Sequence, residues 1–371
     1  MTSLLPTEDE TMLDDMARGF LSEAAPVTHL RAMRDAGETF DPDLWAQMVE
    51  MGWAGVLIPE AAGGSGMGHA AAGILARAMG RTLASSPFIP TAVIAPVVFQ
   101  AAHDSRHEET LRGIAEGKHV FALAVDEGPK HDPENTKLVA TRAGNVFRLS
   151  GLKTFVRNGN AADRFLVLAK VDDQLTLFDV PSDREGIQRT EMALVDSQDA
   201  ARVQFLDVEL RAEDIVGEIG GAMAVLRPAL AAGQAALAAE MAGLASGIFD
   251  LTMGYLKERK QFGKVIGSFQ ALQHRAAKLW CEMEVTESAV IHAGRMLDES
   301  PEDATLAVSL ASARAIRTAA LAVQEGVQLH GGIGMTDEYD AGFYMKRAQV
   351  GAEWLGDYGF HAARVAALRG F

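Results

Sequence analysis

The sequence predicts an α+β protein in which a helical segment, a β segment and a second helical segment follow one another. Three observations lead to this reading. Apolar residues recur at helical spacing through residues 1–117. Between residues 118 and 213 they collect in short alternating or continuous runs, separated by charged, Gly, Asn and Pro residues. From residue 214 to 371 long helical periodicity returns. A nucleotide-binding α/β fold would alternate strand with helix, and this chain does not.

The first segment opens on Thr7 with Glu10 three residues later, a capping-box signature. Leu13, Met16 and Phe20 follow on one helical face. Asp41-Pro42 reads as an N-cap followed by proline at the first helical position. Trp45, Met48 and Met51 then share a face, and Gly52 ends the helix. The middle segment carries HVFALAVDE, TKLVATRA, NVFRLSG, RFLVLAKV, QLTLFDV and ARVQFLDVEL, the pattern of an antiparallel β domain built as a small sandwich or barrel. In the last segment Leu237, Met241, Leu244, Ile248, Leu251 and Tyr255 step along one helix, and Leu272, Ala276, Leu279 and Met283 along another. Ser300, Pro301 and Asp303 start a further helix before Leu306. The expectation is an antiparallel helical bundle.

Composition narrows the function classes. A chain of 371 residues fits two or three structural units. Its formal charge is 34 − 50 = −16, which repels phosphate backbones and argues against a nucleic-acid partner. The single cysteine, Cys281, makes no internal disulfide and no thiolate metal cluster. The N-terminal stretch lacks the basic flank and apolar run of a signal peptide. The most apolar stretch, near residues 229–245, is interrupted by Gln234 and Glu240, so no membrane span is expected. The expectation is a soluble cytoplasmic protein.

The common chemical motifs are missing. The run Gly63-Gly64-Ser65-Gly66-Met67-Gly68 lacks the lysine of a phosphate loop and opens no βαβ unit, so it reads as a flexible turn. Ten histidines are present, but no HExxH or other metal-ligand spacing, and no metal site is expected. There is no GxSxG nucleophile elbow.

Two patches stand out. Residues 257–263, KERKQFG, end a helix with three cations in an acidic protein. They read either as compensation of the helix dipole or as an anion clamp. Residues 328–334, QLHGGIG, read either as a helix C-cap, beside which His330 would cap the helix end, or as backbone left bare for a flat ligand.

On these residues the sequence resembles the acyl-CoA dehydrogenase family. The resemblance is carried by ERKQFGKVIGSFQALQHRAA (258–277), QLHGGIGMTDEYD (328–340) and MGWAGVLIPEAAGGSGMG (51–68), and it covers nearly the whole chain. It implies the family's fold, with an N-terminal helical domain (1–117), a middle antiparallel β domain (118–213) and a C-terminal four-helix bundle (214–371). It also implies the family's reaction, α,β-dehydrogenation of an acyl-CoA thioester to 2-enoyl-CoA with FAD. A carboxylate takes the α-proton, hydrogen-bond donors hold the thioester oxygen, and flavin accepts the β-hydride. By the resemblance, Arg259, Gln261 and Phe262 reach the pyrophosphate region of a neighbouring subunit's FAD, and Gln328, Gly331 and Gly332 line its adenosine end. An oligomer follows, with electron-transferring flavoprotein as the acceptor the family suggests.

The active-site positions depart from the family. Where many members carry a glutamate base in a Tyr-Glu-Gly-Thr segment, this chain has Trp354-Leu355-Gly356-Asp357, and leucine accepts no proton. The alternative base position on the first long bundle helix is Gly233. Relocated carboxylates would have to be Asp357, Glu353 or Glu240. Glu353 should face away from Leu355 if the helix continues there, and Asp357 follows a glycine from which it could turn inward. The Arg-Pro motif at Arg227-Pro228 lies seven residues out of step, so the family's CoA-contacting arginine is either Arg227 or absent. Val125-Asp126-Glu127-Gly128-Pro129 stands where the family has a loop holding flavin and substrate, and Phe155-Val156-Arg157 where it has a flavin-packing Trp-Ile-Thr. Arg157 could point at flavin or at a partner.

The pattern resembles the non-catalytic subunit of heteromeric bacterial acyl-CoA dehydrogenases. Three readings follow. The chain completes an FAD site in an α2β2 heterotetramer with a catalytic subunit; it is a self-sufficient homodimer or homotetramer with a relocated base; or it is an assembly protein without turnover that has lost FAD.

Overall fold

The structure, a computed structural model, describes residues 4–371; the first residues of the stretch read for a targeting signal lie outside the described residues. The N-terminal helices are α1 (Glu8–Ala24), α2 (Val27–Ala36), α3 (Pro42–Glu50), α4 (Gly68–Thr82), α5 (Ala95–Ala101) and α6 (Glu108–Ala115). The strands are β1 (Phe121–Ala124), β2 (Val139–Ala143), β3 (Val146–Arg157), β4 (Arg164–Val171), β5 (Gln174–Pro181), β6 (Ile187–Glu191), β7 (Ala200–Leu210) and β8 (Ile215–Val216). Then come α7 (Ala222–Glu258), the short pair β9 (Lys260–Gln261) and β10 (Lys264–Val265), α8 (Gln270–Glu299), α9 (Ala304–His330), α10 (Ala341–Gly351) and α11 (Tyr358–Leu368).

The local signals act as written. Thr7 accepts from the Glu10 N–H at 3.1 Å, and Glu10 accepts from the Thr7 N–H at 2.7 Å, closing the capping box of α1. Asp41 caps α3 with Pro42 at its first turn, and Gly52 follows in the left-handed region at φ 80°. The Gly63–Gly68 run is not the flexible turn expected. Ser65, Gly66 and Met67 donate backbone hydrogen bonds to Gly55, Ile58 and Val56. A Cβ on Gly64 would collide with the Ile58 carbonyl, so the glycine is there for close backbone approach.

The chain forms two compact units. One comprises Gly37–Gly68 and Ser85–Gly233 and contains the sheet. Its strands run in the order β6-β7-β3-β2-β4-β5-β8, and β1 pairs with β4. Most pairings are antiparallel; β1 is parallel to β4, as is the single Val139–Lys170 bridge of β2. The eight strands are joined by hydrogen bonds into one sheet, but β2 and β4 meet only at that single bridge. Register shifts in the β3–β7 pairing, between Leu149 and Gly151 and between Lys153 and Val156, mark bulges. The core packs Phe147, Leu149, Phe165, Val167, Phe178, Val203 and Phe205.

The other unit comprises Met1–Ala36, His69–Ala84 and Gln234–Phe371 and is helical. In it α4 and α7 meet backbone to backbone: a Cβ on Gly80 would collide with the Glu240 carbonyl, and one on Gly243 with that of Arg77. α7 runs unbroken through Gln234 and Glu240, the polar residues that interrupt its apolar run. By length and hydropathy it could cross a membrane, as could Ala304–Met335, yet 72% and 61% of their apolar windows are buried within the protein. An all-round apolar helix with that burial is a core helix.

Candidate functional site

The first patch is an exposed hairpin at the end of α7. The Arg259 N–H donates to the Tyr255 carbonyl at 2.9 Å, extending the helical turn, and the Ile266 N–H donates to the Arg259 carbonyl at 2.8 Å. Gln261 pairs with Lys264 across β9–β10. The two residues at the tip, Phe262 and Gly263, have φ of 54° and 77°. Two successive positive values are those of a type I′ hairpin turn, unfavourable for phenylalanine. The Phe262 ring is 90% exposed, with the Phe269 ring 6.1 Å away as its edge neighbour. Arg259 and Gln261 are exposed as well.

The second patch ends α9 in the same helical unit. Gln328 is exposed, and Gly331 turns at φ 64°. A Cβ on Gly331 or Gly332 would meet nothing within 4 Å, so the bare backbone faces open space. Gly334 is the opposite case, since its Cβ would meet the Val327 carbonyl at 2.8 Å. His330 is buried and lies with Nδ1 2.6 Å from the Gly326 carbonyl. Burial lowers its pKa, which keeps the ring neutral with Nδ1–H as donor.

The carboxylate candidates have structural partners or lie at the surface. α10 stops at Gly351, so no continuing helix sets the direction of Glu353, which is exposed. Asp357 is the N-cap of α11 and accepts from the Phe360 N–H at 2.8 Å. Glu240 accepts from Arg347 Nη1 at 3.3 Å, and the buried Arg347 also donates to the Leu83 carbonyl at 3.1 Å. Leu355 is 1% exposed with φ 57°, a left-handed conformation rare for leucine. Its carbonyl accepts from Gln234 Nε2 at 2.9 Å. Gln234 follows Gly233, which is buried on α7.

In the sheet unit, the loop after β1 is tied down from within. The Lys153 ammonium, 0% exposed, donates to the Val125 carbonyl at 3.0 Å, Thr136 Oγ1 at 2.5 Å and Glu127 Oε1 at 2.8 Å. Glu127 also accepts from the N–H groups of Lys137 and Leu138 and from the Thr136 hydroxyl. Burial alone would raise the Glu127 carboxyl; the hydrogen bonds from Lys153 and Thr136 and the lysine charge outweigh it and hold the group at about 2. Sequence reasoning passed over Lys153; a lone lysine inside the apolar run of β3 was the signal available. Arg157 is buried and donates to Gln198 Oε1 at 3.1 Å, with Asp196 Oδ2 4.0 Å from its Nη1. Phe155 is exposed at φ 51°. Arg227 and Glu134 form a solvent-exposed ion pair at 3.0 Å.

A cavity of about 270 Å³ opens in the helical unit where Ala70, Gly73 and Ile74 of α4 face Val290 and Ile291 of α8. Its charged rim is internally paired, Arg77 with Asp14 and Arg295 with Glu10, each at 2.9 Å. No cluster of three or more His, Cys, Asp or Glu suited to a metal occurs among the described residues.

Comparison with known proteins sets this geometry in context. Residues 7–118 match the family model described as acyl-CoA dehydrogenase, N-terminal domain, and residues 220–368 the one described as acyl-CoA dehydrogenase, C-terminal domain. The chain is 31% identical to the acyl-CoA dehydrogenase IpdE2 of Mycobacterium tuberculosis, over 95% of this chain and 94% of that protein. It is 27% identical to CarC, a subunit of the caffeyl-CoA reductase–Etf complex of Acetobacterium woodii, over 90% of each. Among solved structures, a variant of the Tcur3481–Tcur3483 steroid ACAD superposes with a TM-score of 0.88 at 29% identity, covering 98% of both chains.

Proposed function

This chain belongs to the acyl-CoA dehydrogenase family of FAD-dependent oxidoreductases, and from that premise we propose that it is one subunit of a heteromeric dehydrogenase, completing an FAD site shared with a catalytic partner. The observation that carries the reading is Leu355: the residue that the sequence resemblance sets against the family's base is a buried leucine whose carbonyl accepts from Gln234. Glu240 and Asp357 serve as ion-pair and helix-cap partners, which supports assigning the α-proton abstraction to a carboxylate of the other subunit.

The exposed residues fit the outer half of FAD. Arg259 offers a forked donor for a diphosphate. Gln261 and Gln328 offer amides, Phe262 a free aromatic face, and Gly331-Gly332 a bare backbone against which a flat ring can lie. On the flavin-ring side, Glu127 is engaged by Lys153, and Arg157 is held through Nη2 by Gln198. When bound, FAD supplies the hydride-accepting chemistry; this chain's contribution is to hold its diphosphate and adenosine.

Arg227 is the proposed CoA contact. Its exposed pair with Glu134 is weak enough for a ligand phosphate to displace. The segments 1–117, 118–213 and 214–371 are the proposed functional divisions. CarC's place in an Etf complex supports an electron-transferring flavoprotein as acceptor, and the two-component name of the steroid ACAD supports a heteromer.

The test is the visible spectrum of the purified chain before and after anaerobic addition of acyl-CoA. The proposal expects a colourless protein, or a yellow one that does not bleach, with bleaching once a catalytic subunit is supplied. A yellow chain that bleaches alone would establish a self-sufficient enzyme and overturn the proposal.

A further inference from the structure

Three aromatic rings join the two exposed patches inside the helical unit. His330 closes α9 directly before Gly331 and is 3% exposed. Its ring centroid lies 4.6 Å from that of Tyr255 on α7 and 4.7 Å from that of Tyr339, beyond the glycine turn. The two tyrosines lie 6.1 Å apart, edge to face. Tyr255 is also the residue whose carbonyl receives the Arg259 N–H, so its position sets where the hairpin leaves the helix. Gly334 folds back until its Cβ position is 3.0 Å from the His330 Cβ. Gly326 brings α7 and α9 together, for its Cβ position is 2.6 Å from Ile248 Cγ1. The ends of two long helices are thus held at one spacing by a ring anchored through Nδ1 to the Gly326 carbonyl.

We propose that His330, with Tyr255 and Tyr339, is a positioning residue for the cofactor: the triad fixes the distance between the 259–262 hairpin and the 331–332 turn so that one FAD molecule can engage both. This rests on the reading of those patches as an FAD surface. Two contact sets act on one ligand only if their spacing is set beforehand; a loose spacing must be ordered on binding, at a cost in affinity.

The experiment is FAD titration of the full-length chain in the assembly with which it purifies, followed by flavin fluorescence, beside a thermal melt of each variant without FAD. The variants are His330→Ala, His330→Phe, Tyr339→Leu and Arg259→Ala. His330→Ala and Tyr339→Leu should weaken FAD binding roughly tenfold, and His330→Phe, which keeps a ring between the tyrosines, should recover most of it. If His330→Ala does not fold, Tyr339→Leu carries the test from a half-exposed loop position. Lower melting temperatures with unchanged FAD affinity in these variants would overturn the inference while leaving the FAD surface intact. Unchanged affinity in Arg259→Ala, or no FAD binding by the wild type, would overturn the surface itself and the inference with it.

Discussion

Replacing Glu127 with alanine tests the buried network directly. The change removes the carboxylate 2.8 Å from an ammonium with no solvent exposure and strands that charge in the sheet unit. Breaking one side of a buried pair costs about 3–5 kcal/mol. Glu127 keeps 21% of its side chain exposed, so the lower end, about 3 kcal/mol, is expected. Glu127→Leu combined with Lys153→Met leaves no charge, though it removes the acceptor of the Leu138 N–H and the donor to the Val125 carbonyl, so it should cost less than the sum of the two single changes, a coupling that a double-mutant cycle reads from urea unfolding by circular dichroism. The pH dependence follows from the signs. The folded carboxyl, at about 2, lies below its ordinary value, so its contribution is complete above about 4.5 and is lost as the pH falls toward 2. Burial already holds Lys153 below its ordinary range despite the pull of Glu127. Without that pull it falls further, so the cost of Glu127→Ala should shrink as the pH rises and the amine becomes neutral. A cost under about 1 kcal/mol that does not vary with pH would refute the reasoning.

Three further outcomes are expected. Gly243→Ala drives a methyl into the Arg77 carbonyl and should cost about 2–3 kcal/mol through separation of α4 and α7, read as a lowered thermal midpoint. Asp357→Ala should cost about 1 kcal/mol by uncapping α11, and Asp357→Asn only a few tenths; equal and near-zero costs would exclude the cap. Leu355→Glu gives up about 1.5–3 kcal/mol of leucine burial and adds a desolvated carboxylate, so it should destabilise the chain without conferring turnover. A variant as stable as wild type that bleaches with acyl-CoA alone would count against the placement of Leu355 in the core.

What could be read in advance depended on the range of the interactions. Thr7 with Glu10 and Asp41 with Pro42 are contacts between near neighbours, so their chemistry is visible in the string of residues. The apolar strands were visible because their burial is continuous, as in β1, β4 and β5, or alternating, as in β7, whereas β6, IQRTE, has only Ile187 even partly buried. Gln234 and Glu240 read as interruptions of an apolar run because their partners, the Leu355 carbonyl and Arg347, lie more than a hundred residues away. Lys153 escaped notice for the same reason, since Glu127 and Thr136 reach it across the sheet unit.

The contrast between the two groups of positions bears on the division of labour. A phenylalanine with positive φ and nine-tenths exposure is strained and leaves apolar surface in water. Within its own unit the Phe269 edge covers little of that ring. On the proposed reading the cofactor of the shared site covers that ring, and the open glycines at 331 and 332 take the same occupant. Glu127, Arg157 and the Leu355 carbonyl have gone the other way. Each is buried or tethered with partners from its own chain. On the proposed reading the partner does the chemistry, so these groups take partners within the chain, while the residues that serve the shared site stay exposed. On the proposed reading, Phe262→Ala should therefore leave the melting temperature of the cofactor-free chain unchanged and weaken the FAD-containing assembly. Equal melting curves with equal FAD retention would remove Phe262 from the shared surface.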